Sequence, residues 1–216
     1  MNTAGTEKSV REGSLEKRTA ILAAARDLFV RQGVDRVSMD AVAARAGVSK
    51  RTVYDYFGDK RRLFLAILSA ASESMLATSR RALDEHLPLD AQITTVPQLE
   101  KAFTAFAIDL GTSIVGSADY AAAFALVAQQ RLQTPTTTDD LATDGASQDL
   151  ADRIAHFADA GLLDADNPRL AADHFSALTV LLAYERQPVP AVADPERVRQ
   201  IMADGAHAFI RAYASR

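Results

Sequence analysis

Residues 37–62 read VSMDAVAARAGVSKRTVYDYFGDKRR, and this stretch predicts two short helices joined by a tight turn. Gly47 can adopt the left-handed backbone conformation that such a turn needs, and Ser49 can cap the helix that follows. In that second helix, Lys50 to Phe57, apolar side chains point inward while cations, hydroxyls and tyrosines remain outside. This combination suits a helix that lies in the major groove of DNA.

The residues before this stretch predict one longer helix, from Leu15 to Gln32, which ends at Gly33. Ser38 is then a suitable N-cap for a helix from Met39 to Ala46. Residues 1–14 are polar and mixed in charge, so they are predicted to form a flexible arm. A solvated tail is the expectation for this arm, and contact with DNA is the alternative.

The formal charge is divided unevenly along the chain. Residues 1–62 hold 13 Lys and Arg against 8 Asp and Glu, a charge of +5, whereas residues 63–216 hold 11 against 20, a charge of −9. A basic end on an acidic body is expected when one end meets phosphate and the rest repels it. The division favours DNA as a partner although the whole chain carries a net charge of −4.

Composition limits the class of protein further. The chain has 216 residues, of which 48% are hydrophobic, enough for one large domain or two small ones with a real core. The absence of cysteine excludes disulfides and cysteine-ligated metals. The sequence contains no run of about 18 apolar residues, so no membrane span is predicted. Residues 1–10 are polar and contain no apolar segment typical of a signal peptide. We therefore expect a cytoplasmic protein with no membrane partner.

The remainder of the chain predicts helices, because no segment alternates apolar and polar residues with β-branched enrichment. The expected fold class is all-α with about nine helices. An N-terminal helix-turn-helix domain of three helices, residues 15–62, joins a helical domain, residues 63–216. Asn167-Pro168 and Asp194-Pro195 predict helix starts, and the Thr- and Asp-rich residues 134–146 predict a loop. The remaining helices are expected at residues 60–83, 98–115, 119–132, 147–161, 168–185 and 195–214.

Residues 15–65, about a quarter of the chain, resemble the TetR family of bacterial one-component transcriptional regulators. Each motif is weak alone, but the series in order and register is specific. The resemblance implies a divergent, all-helical C-terminal domain that binds a small molecule and forms the dimer. The matching residues are Ile21-x-x-Ala-Ala-x-x-Leu28-Phe29, Gly33, Val37-Ser38-Met39, Ala43, Ala46-Gly47-Val48-Ser49, Thr52-Val53-Tyr54-x-Tyr56-Phe57-x-x-Lys60 and Leu63-Phe64.

The helix from Lys50 to Phe57 is the candidate recognition helix. Lys50 and Arg51 are expected to point into the groove, and Thr52 and Tyr54 to donate hydroxyl hydrogen bonds to phosphates or to approach bases. For Tyr54 the alternative is a half-buried packing residue. Arg51 stands where many family members carry a small residue. It would either pair with guanine or contact a phosphate, and both roles remain open.

Flanking residues extend the candidate DNA face. Tyr56 is predicted on an exposed flank, where it would stack on sugar or contact a thymine methyl group, and Lys60 begins a helix at a position that suits phosphate. Asp55 would accept from cytosine or pair with a neighbouring arginine, and Arg45 is expected to be solvated, with a backbone contact as the alternative. The predicted DNA-binding residues are Ser38, Ser49, Lys50, Arg51, Thr52, Tyr54, Tyr56 and Lys60.

A homodimer is expected, because two recognition helices about 34–36 Å apart would read a palindromic operator. The run from Phe175 to Tyr184 is apolar on more than one face, and the last helix has both a large-residue and a small-residue face. The alternative is that both helices are buried within one monomer. The predicted interface residues are Phe175, Leu178, Leu182, Val198, Met202, Gly205, Phe209 and Tyr213.

A small, mostly apolar or aromatic effector is expected between the fourth and eighth helices, where few cations lie. The plain alternative for each candidate residue is a role in the core. A histidine among apolar neighbours must find a hydrogen-bond partner, which a ligand or a backbone carbonyl can supply. The candidate ligand contacts are Phe103, Phe106, Leu110, Tyr120, Phe124, Val127, His156, Phe157 and His174.

The resemblance implies a transcriptional regulator, by the family default a repressor that is released from its operator when the ligand shifts the population of conformers. The residues themselves leave open whether the chain represses or activates. An enzyme is disfavoured. The run from Gly111 to Gly116 lacks the Lys-Ser/Thr of a phosphate loop, and no metalloprotease or serine-hydrolase motif is present. No cofactor or metal is expected. The alternative function is a ligand-independent dimeric DNA-binding protein whose C-terminal domain only dimerises.

Overall fold

The computed structural model describes residues 3–89, 93–115, 117, 121–122, 125–126, 144–187 and 193–215. In these residues the chain is helical, with no strand and one isolated antiparallel bridge between Leu163 and Ala214. The chain divides into two compact units. The first holds Met1–Ala71 and Ala122–Thr138, and the second holds Ser72–Ala121 and Asp139–Arg216. The predicted all-α fold class is confirmed.

The first unit contains the predicted helix-turn-helix. Its helices are α1 (Thr3–Gln32), α2 (Met39–Ala46), α3 (Lys50–Phe57) and the first part of α4 (Lys60–His86), which continues into the second unit. The predicted bounds of α2 and α3 are confirmed. Ser38 and Ser49 each accept a hydrogen bond from a backbone N–H three residues on, at 3.1 and 3.0 Å. Gly47 has φ +67°, which favours glycine.

Helix α1 begins at Thr3, so the predicted start at Leu15 was wrong and the backbone of residues 3–14 is helical where a flexible arm was expected. Composition alone led to that expectation. No proline interrupts residues 3–14, so the backbone of this stretch can continue the helix. The predicted end is confirmed: Gly33 has φ +83° and donates to the Phe29 carbonyl at 2.9 Å.

The core of the first unit is apolar and draws on all four of these helices. Helix α3 contributes its two apolar side chains, Val53 and Phe57, and leaves Lys50, Arg51, Tyr54 and Asp55 exposed on the other side. Helix α4 contributes three residues from its first two turns. The buried members of this core in these helices and the loop before α2 are Ile21, Ala25, Phe29, Val37, Met39, Val42, Ala43, Val53, Phe57, Leu63, Phe64 and Ile67.

The second unit contains the rest of α4 followed by α5 (Val96–Val115), α6 (Asp144–Asp159), α7 (Pro168–Ser176), a π-helical segment π1 (Ala177–Leu181), α8 (Leu182–Arg186) and α9 (Pro195–Tyr213). The predicted starts of α7 and α9 are confirmed, since Asn167 and Asp194 accept hydrogen bonds from the first turns. Helix α6 already includes residues 144–146 of the expected loop. The rest of that loop, and most of the helix expected at 119–132, lie outside the described residues.

Five phenylalanine rings form the centre of the second unit. Phe103 packs against Phe157, Phe175 and Phe209 with ring centroids 5.3–6.3 Å apart, and Phe106 stacks on Phe175 at 5.6 Å. All five side chains are at most 1% exposed. They come from α5, α6, α7 and α9, so a single aromatic cluster joins these four helices.

Charged residues in the second half of α4 connect it to its neighbours within the unit. Arg81 donates two hydrogen bonds to Asp109 of α5, at 2.8 and 2.9 Å, and His86 Nε2 lies 3.1 Å from the same carboxylate. Arg80 pairs with Asp149 of α6 at 2.7 Å. The hydrogen bond from Arg81 holds the pKa of Asp109 below its usual value, and His86 acts in the same direction.

Because the pKa of Asp109 is lowered on folding, its ionised form stabilises the folded state above the ordinary carboxyl pKa of 3.8, and this contribution is lost as the pH falls below that value. At pH 7 we expect Asp109→Asn to reduce the free energy of unfolding by about 1–3 kcal/mol. Urea titrations of both proteins from pH 7 to pH 3 measure this difference, which should shrink at the acid end. A difference that stays constant with pH would contradict a stabilising role for the ionised Asp109 carboxylate.

Glu85→Gln is the control for this experiment. The Glu85 side chain is 59% exposed, so its replacement should change stability by less than about 1 kcal/mol.

Candidate nucleic-acid interface

Helix α3 has one buried and one exposed side. Val53 and Phe57 are buried, whereas Lys50, Arg51 and Tyr54 are exposed. The Arg51 side chain is 90% exposed, so its guanidinium can reach a partner outside the protein. No hydrogen-bond partner for the Tyr54 hydroxyl is found in the described part of the chain. The exposed side therefore presents two cations and a phenol.

Asp55 lies on the same exposed side, where its carboxylate is 3.7 Å from Arg51 Nε. Both side chains are mostly exposed, and such a pair contributes little to stability in water. Cytosine and a neighbouring arginine were the two partners expected for Asp55. In the free protein, Arg51 is the arginine that lies close to it. A phosphate or a guanine edge can replace this carboxylate at small cost.

Lys50 is paired within the helix-turn-helix. Its Nζ lies 2.9 and 3.0 Å from the two carboxylate oxygens of Asp40 in α2. The hydrogen bond and charge of Asp40 raise the pKa of Lys50 above its ordinary value. Lys50 is therefore a cation in the free protein. To contact a phosphate, its ammonium group has to leave the Asp40 carboxylate or bind the phosphate and the carboxylate at the same time.

The hydroxyls at the start of α2 and α3 serve first as helix caps. The Ser49 and Thr52 hydroxyl oxygens are 2.7 Å apart, and Ser49 Oγ also accepts from the Thr52 N–H. Ser38 Oγ accepts from the Ala41 N–H. Ser38 and Ser49 are both exposed, with Thr52 half-buried beside Ser49. They place polar groups at two helix N-termini, where backbone N–H groups favour anions.

The prediction that Tyr56 lies on an exposed flank was wrong. Its side chain is half-buried and packs against the core of the first unit. Its hydroxyl is 2.8 Å from Ser14 Oγ and donates to the Ser14 carbonyl at 3.1 Å. Helical spacing put Tyr56 on the polar side of α3, but Ser14 of α1 lies against that position. No local pattern indicates this contact, because the two residues are 42 positions apart.

Lys60 begins α4 as predicted, but its side chain binds protein. Its Nζ donates to the carbonyls of Asp35 and Val37 at 3.0 and 3.1 Å. These carbonyls belong to the loop between α1 and α2, so Lys60 joins the start of α4 to that loop. Two of the three N–H donors of the ammonium are used in this way. A phosphate contact by Lys60 is limited to the third donor.

Arg45 was expected to be a solvated surface residue, and its side chain is indeed 58% exposed, but it also pairs with Asp27 of α1 at 3.0 Å. Asp27 binds Arg31 at 2.6 Å as well. This network connects α1 and α2. Sequence reasoning missed the pairs Asp27–Arg45, Asp40–Lys50 and Ser14–Tyr56, because their members are 18, 10 and 42 residues apart.

Most of the predicted ligand contacts lie in or beside the aromatic cluster of the second unit. Phe103, Phe106 and Phe157 belong to the five-ring cluster, Leu110 is buried beside it, and His156 is half-buried with its ring edge-on to Phe157 at 5.2 Å. The expectation that His174 lies among apolar neighbours was wrong, since it is exposed and its Nδ1 is 2.6 Å from the Tyr213 hydroxyl. The side chains of Tyr120, Phe124 and Val127 lie outside the described residues.

The residues predicted for the dimer interface fall on both sides of their helices. Most of them are buried inside the chain, so their assignment to an interface was wrong; these are Phe175, Val198, Met202, Gly205 and Phe209. Leu178 is exposed, and Leu182 and Tyr213 are half-buried. The aromatic cluster decides the orientation, because it draws the large apolar side of α9 inward. The apolar side chains left facing outward on α7, π1 and α9 are Leu170, Ala177, Leu178, Leu181, Ala208 and Ala212.

One group in the described part of the chain has metal-ligand spacing: Glu85, His86 and Asp109 place one ligand atom each within 4.8 Å of one another. However, the Asp109 carboxylate already accepts two hydrogen bonds from Arg81, and Arg81 also binds Glu85 at 3.0 Å. A divalent cation would have to displace a guanidinium. The group is therefore best described as an ion-pair network between α4 and α5.

Two family models match this chain. The model for bacterial regulatory proteins of the tetR family matches residues 21–67, and the model for the C-terminal domain of AefR-like transcriptional repressors matches residues 112–215. The fold and the exposed side of α3 define a helix-turn-helix DNA-binding protein. The chain belongs to the TetR family of transcriptional regulators.

Individual relatives agree with this assignment. The transcriptional activator FasR of Mycolicibacterium smegmatis is 40% identical over 68 residues, which are 32% of this chain and 31% of that protein. A TetR-family regulator from Mesorhizobium loti superposes with a TM-score of 0.75 at 19% identity, covering 93% of this chain and 98% of the other. The flavonoid-responsive regulator FrrA gives 0.61 at 26% identity, with coverage of 93% and 98%. The chain spans about a third of the length of the curated relatives it matches.

The family defines the class of activity. TetR-family regulators are transcription factors rather than enzymes, many are repressors, and they bind DNA operators, typically as homodimers with small-molecule effectors. Among the described helices, none combines the length and the apolar character needed to cross a membrane.

Proposed function

We propose that this chain is a repressor that binds a palindromic operator as a homodimer and is released by a small, mostly apolar ligand. The observation that carries the DNA-binding part is the exposed side of α3. A helix of two turns, capped by Ser49 and preceded by the left-handed Gly47, presents Lys50, Arg51 and Tyr54 outward. Such a helix fits the major groove, with its first residues nearest the bases.

The proposed contacts divide by type. Arg51 has the reach and exposure for a base or a phosphate, and Lys50, Thr52 and Tyr54 supply further donors around it. Ser38 and Ser49 stand at helix N-termini and suit phosphates. Lys60 keeps one donor for a phosphate after its two carbonyl contacts.

Dimerisation is supported by the apolar side chains that face outward on α7 and π1. Leu170 and Leu181 are each 48% exposed and Leu178 is 36% exposed. On α9 the outward residues Ala208 and Ala212 are small and permit close approach of another helix. We propose this outward face, rather than the buried residues of the same helices, as the interface of the homodimer.

Repression and ligand control rest on the similar proteins. The model that matches residues 112–215 describes a repressor domain, whereas the activator FasR is matched over only 68 residues. The structure of FrrA, called flavonoid-responsive, resembles this chain over nearly its whole length. A flavonoid is thus the first ligand to try.

The operator can be identified by selection. The full chain is incubated with a pool of random duplex DNA, bound duplexes are amplified over several rounds, and the survivors are sequenced. We expect an inverted repeat with half-site centres about one helical turn apart, or a multiple of it. Fluorescence anisotropy at two salt concentrations should then show specific binding that weakens as salt rises. Enrichment of no sequence would refute specific operator binding.

Arg51→Ala should weaken binding to the selected duplex by about 1–3 kcal/mol. Arg51→Lys separates the two roles, because lysine keeps a phosphate contact but loses bidentate pairing with guanine. Arg199→Ala, an exposed arginine near the start of α9, is the matched control and should bind like the wild type. If Arg51→Ala and Thr52→Ala both bind normally, α3 is not the recognition helix.

The ligand is tested by adding naringenin, a flavonoid, to the preformed complex with the selected duplex. The repressor proposal is supported if the flavonoid releases the DNA. It also requires that, without the flavonoid, the protein lowers transcription from a reporter that carries the selected site. If a broad panel of aromatic compounds releases nothing, the alternative of a C-terminal domain that only dimerises gains support. Higher transcription in the presence of the protein would instead identify an activator.

A further inference from the structure

Tyr56 and Ser14 form a closed pair of hydrogen bonds between α3 and α1. The tyrosine hydroxyl donates to the Ser14 carbonyl at 3.1 Å, so its single proton is used there. The Ser14 hydroxyl, 2.8 Å from the tyrosine oxygen, is then the donor of the second bond. The Tyr56 hydroxyl thus has both a donor and an acceptor partner inside the protein.

A second contact lies one helical turn along α1. The guanidinium of Arg18, four residues after Ser14, stands over the Phe57 ring at 5.8 Å from its centroid. Neighbouring residues of α3, Tyr56 and Phe57, therefore contact the same side of α1 at two successive turns. The last turn of α3 is held by polar contacts as well as by its buried apolar side chains.

The orientation of α3 matters because the helix has only eight residues. Arg51 and Tyr54 extend far from its axis, so a small rotation of the helix displaces their ends by much more than it displaces the backbone. Groups that bind a rigid partner have to be held close to their bound geometry, or the affinity falls. A contact that fixes the last turn of α3 can therefore affect binding without touching the partner.

We propose that Tyr56 is a positioning residue for operator binding, which acts through Ser14 by holding the end of α3 on α1 and does not contact DNA through its hydroxyl. This inference rests on the proposed function of α3 as the recognition helix. It replaces the sequence-based expectation of a direct sugar or base contact. It also assigns a role to the helical turn of α1 that contains Ser14, in a stretch where composition predicted a flexible arm.

A double-mutant cycle on the selected duplex tests the proposal. Tyr56→Phe removes both hydrogen bonds and keeps the ring, and we expect it to weaken binding about fivefold, the equivalent of one net hydrogen bond. Ser14→Ala removes one bond and should weaken binding about two- to threefold. In the Tyr56→Phe background Ser14→Ala should have no further effect. Ser14→Thr keeps a hydroxyl and should bind within about twofold of the wild type.

The outcomes separate the possible roles. If Tyr56→Phe weakens binding while Ser14→Ala does not, or if the two effects are additive, the Tyr56 hydroxyl acts on its own and the proposal is overturned. If both variants only lower the unfolding temperature and bind DNA normally, the pair is structural and the proposal also fails. Amide exchange in residues 13–18 of the DNA-free protein should speed up in Tyr56→Phe, which reports loss of the contact itself.

Failure of the underlying function gives a different result. If α3 is not the recognition helix, Arg51→Ala binds the selected duplex normally. If α3 is the recognition helix and only the positioning role is wrong, Arg51→Ala is weak while the cycle shows no coupling. Tyr54→Phe is the matched control, because it removes the hydroxyl of an exposed tyrosine of α3, and its effect should add to that of Ser14→Ala.

Discussion

Phe103→Ala is expected to lower the free energy of unfolding of the second unit by about 3–5 kcal/mol. Phe103 has no exposed surface and contacts three other rings, from α6, α7 and α9, at centroid distances of 6.3, 5.6 and 5.3 Å. Alanine would leave a cavity at the point where these helices meet. The surrounding rings are large and rigid, so they can fill it only in part.

Urea denaturation followed by circular dichroism measures this effect, with the protomer concentration held constant because the proposed dimerisation would contribute to stability. Phe103→Leu should cost clearly less, since it retains most of the volume. Leu89→Ala, at a side chain that is 53% exposed, should change stability by less than about 0.5 kcal/mol. A loss below about 1 kcal/mol for Phe103→Ala would indicate an open site around the ring, as expected for a pocket wall rather than a core residue.

Gly205→Ala is expected to reduce stability by about 2 kcal/mol or more, although alanine favours a helix over glycine by about 1 kcal/mol. A Cβ at Gly205 would lie 2.2 Å from the Leu178 carbonyl oxygen and 2.8 Å from its carbon. Both are backbone atoms of π1 and cannot turn aside. Helix α9 and π1 would have to separate, which also strains the packing of Thr179 beside them.

Two other glycines of the same unit provide controls. A Cβ at Gly111 would meet the Met202 side chain at 2.4–2.7 Å, and a methionine can change rotamer, so Gly111→Ala should cost less than Gly205→Ala. At Gly145 the nearest atoms are 3.5 Å away, and Gly145→Ala should be neutral or stabilising by up to about 1 kcal/mol. Equal effects at all three positions would argue against the close approach of α9 and π1.

Tertiary contacts decide which side of α9 is buried and which side faces outward. The sequence of α9 has a large-residue side, with Met202 and Phe209, and a small-residue side, with Ala208 and Ala212. Either side could face a partner chain. The aromatic cluster of α5, α6 and α7 decides the matter, because burying the rings of α9 removes more apolar surface from water than burying its alanines.

The candidate DNA site was predictable where it depends on neighbours in the chain. Ser49, Lys50 and Arg51 could be placed at the start of α3 because the cap and the glycine turn before it act over three or four residues. Tyr56 and Lys60 could be placed on their helices but not given partners. Their hydrogen bonds reach Ser14, Asp35 and Val37, at separations of 23–42 residues.

The amino-acid sequence by itself determined the helix-turn-helix, the bounds of α2 and α3, and the starts of α7 and α9. These follow from capping, turn conformation and helical spacing, which act between residues close in the chain. Only the tertiary structure decided that Tyr56 binds α1, that His174 is exposed, and which side of α9 is buried. Each of these depends on packing between helices that are distant in the sequence, and local propensity does not specify that packing.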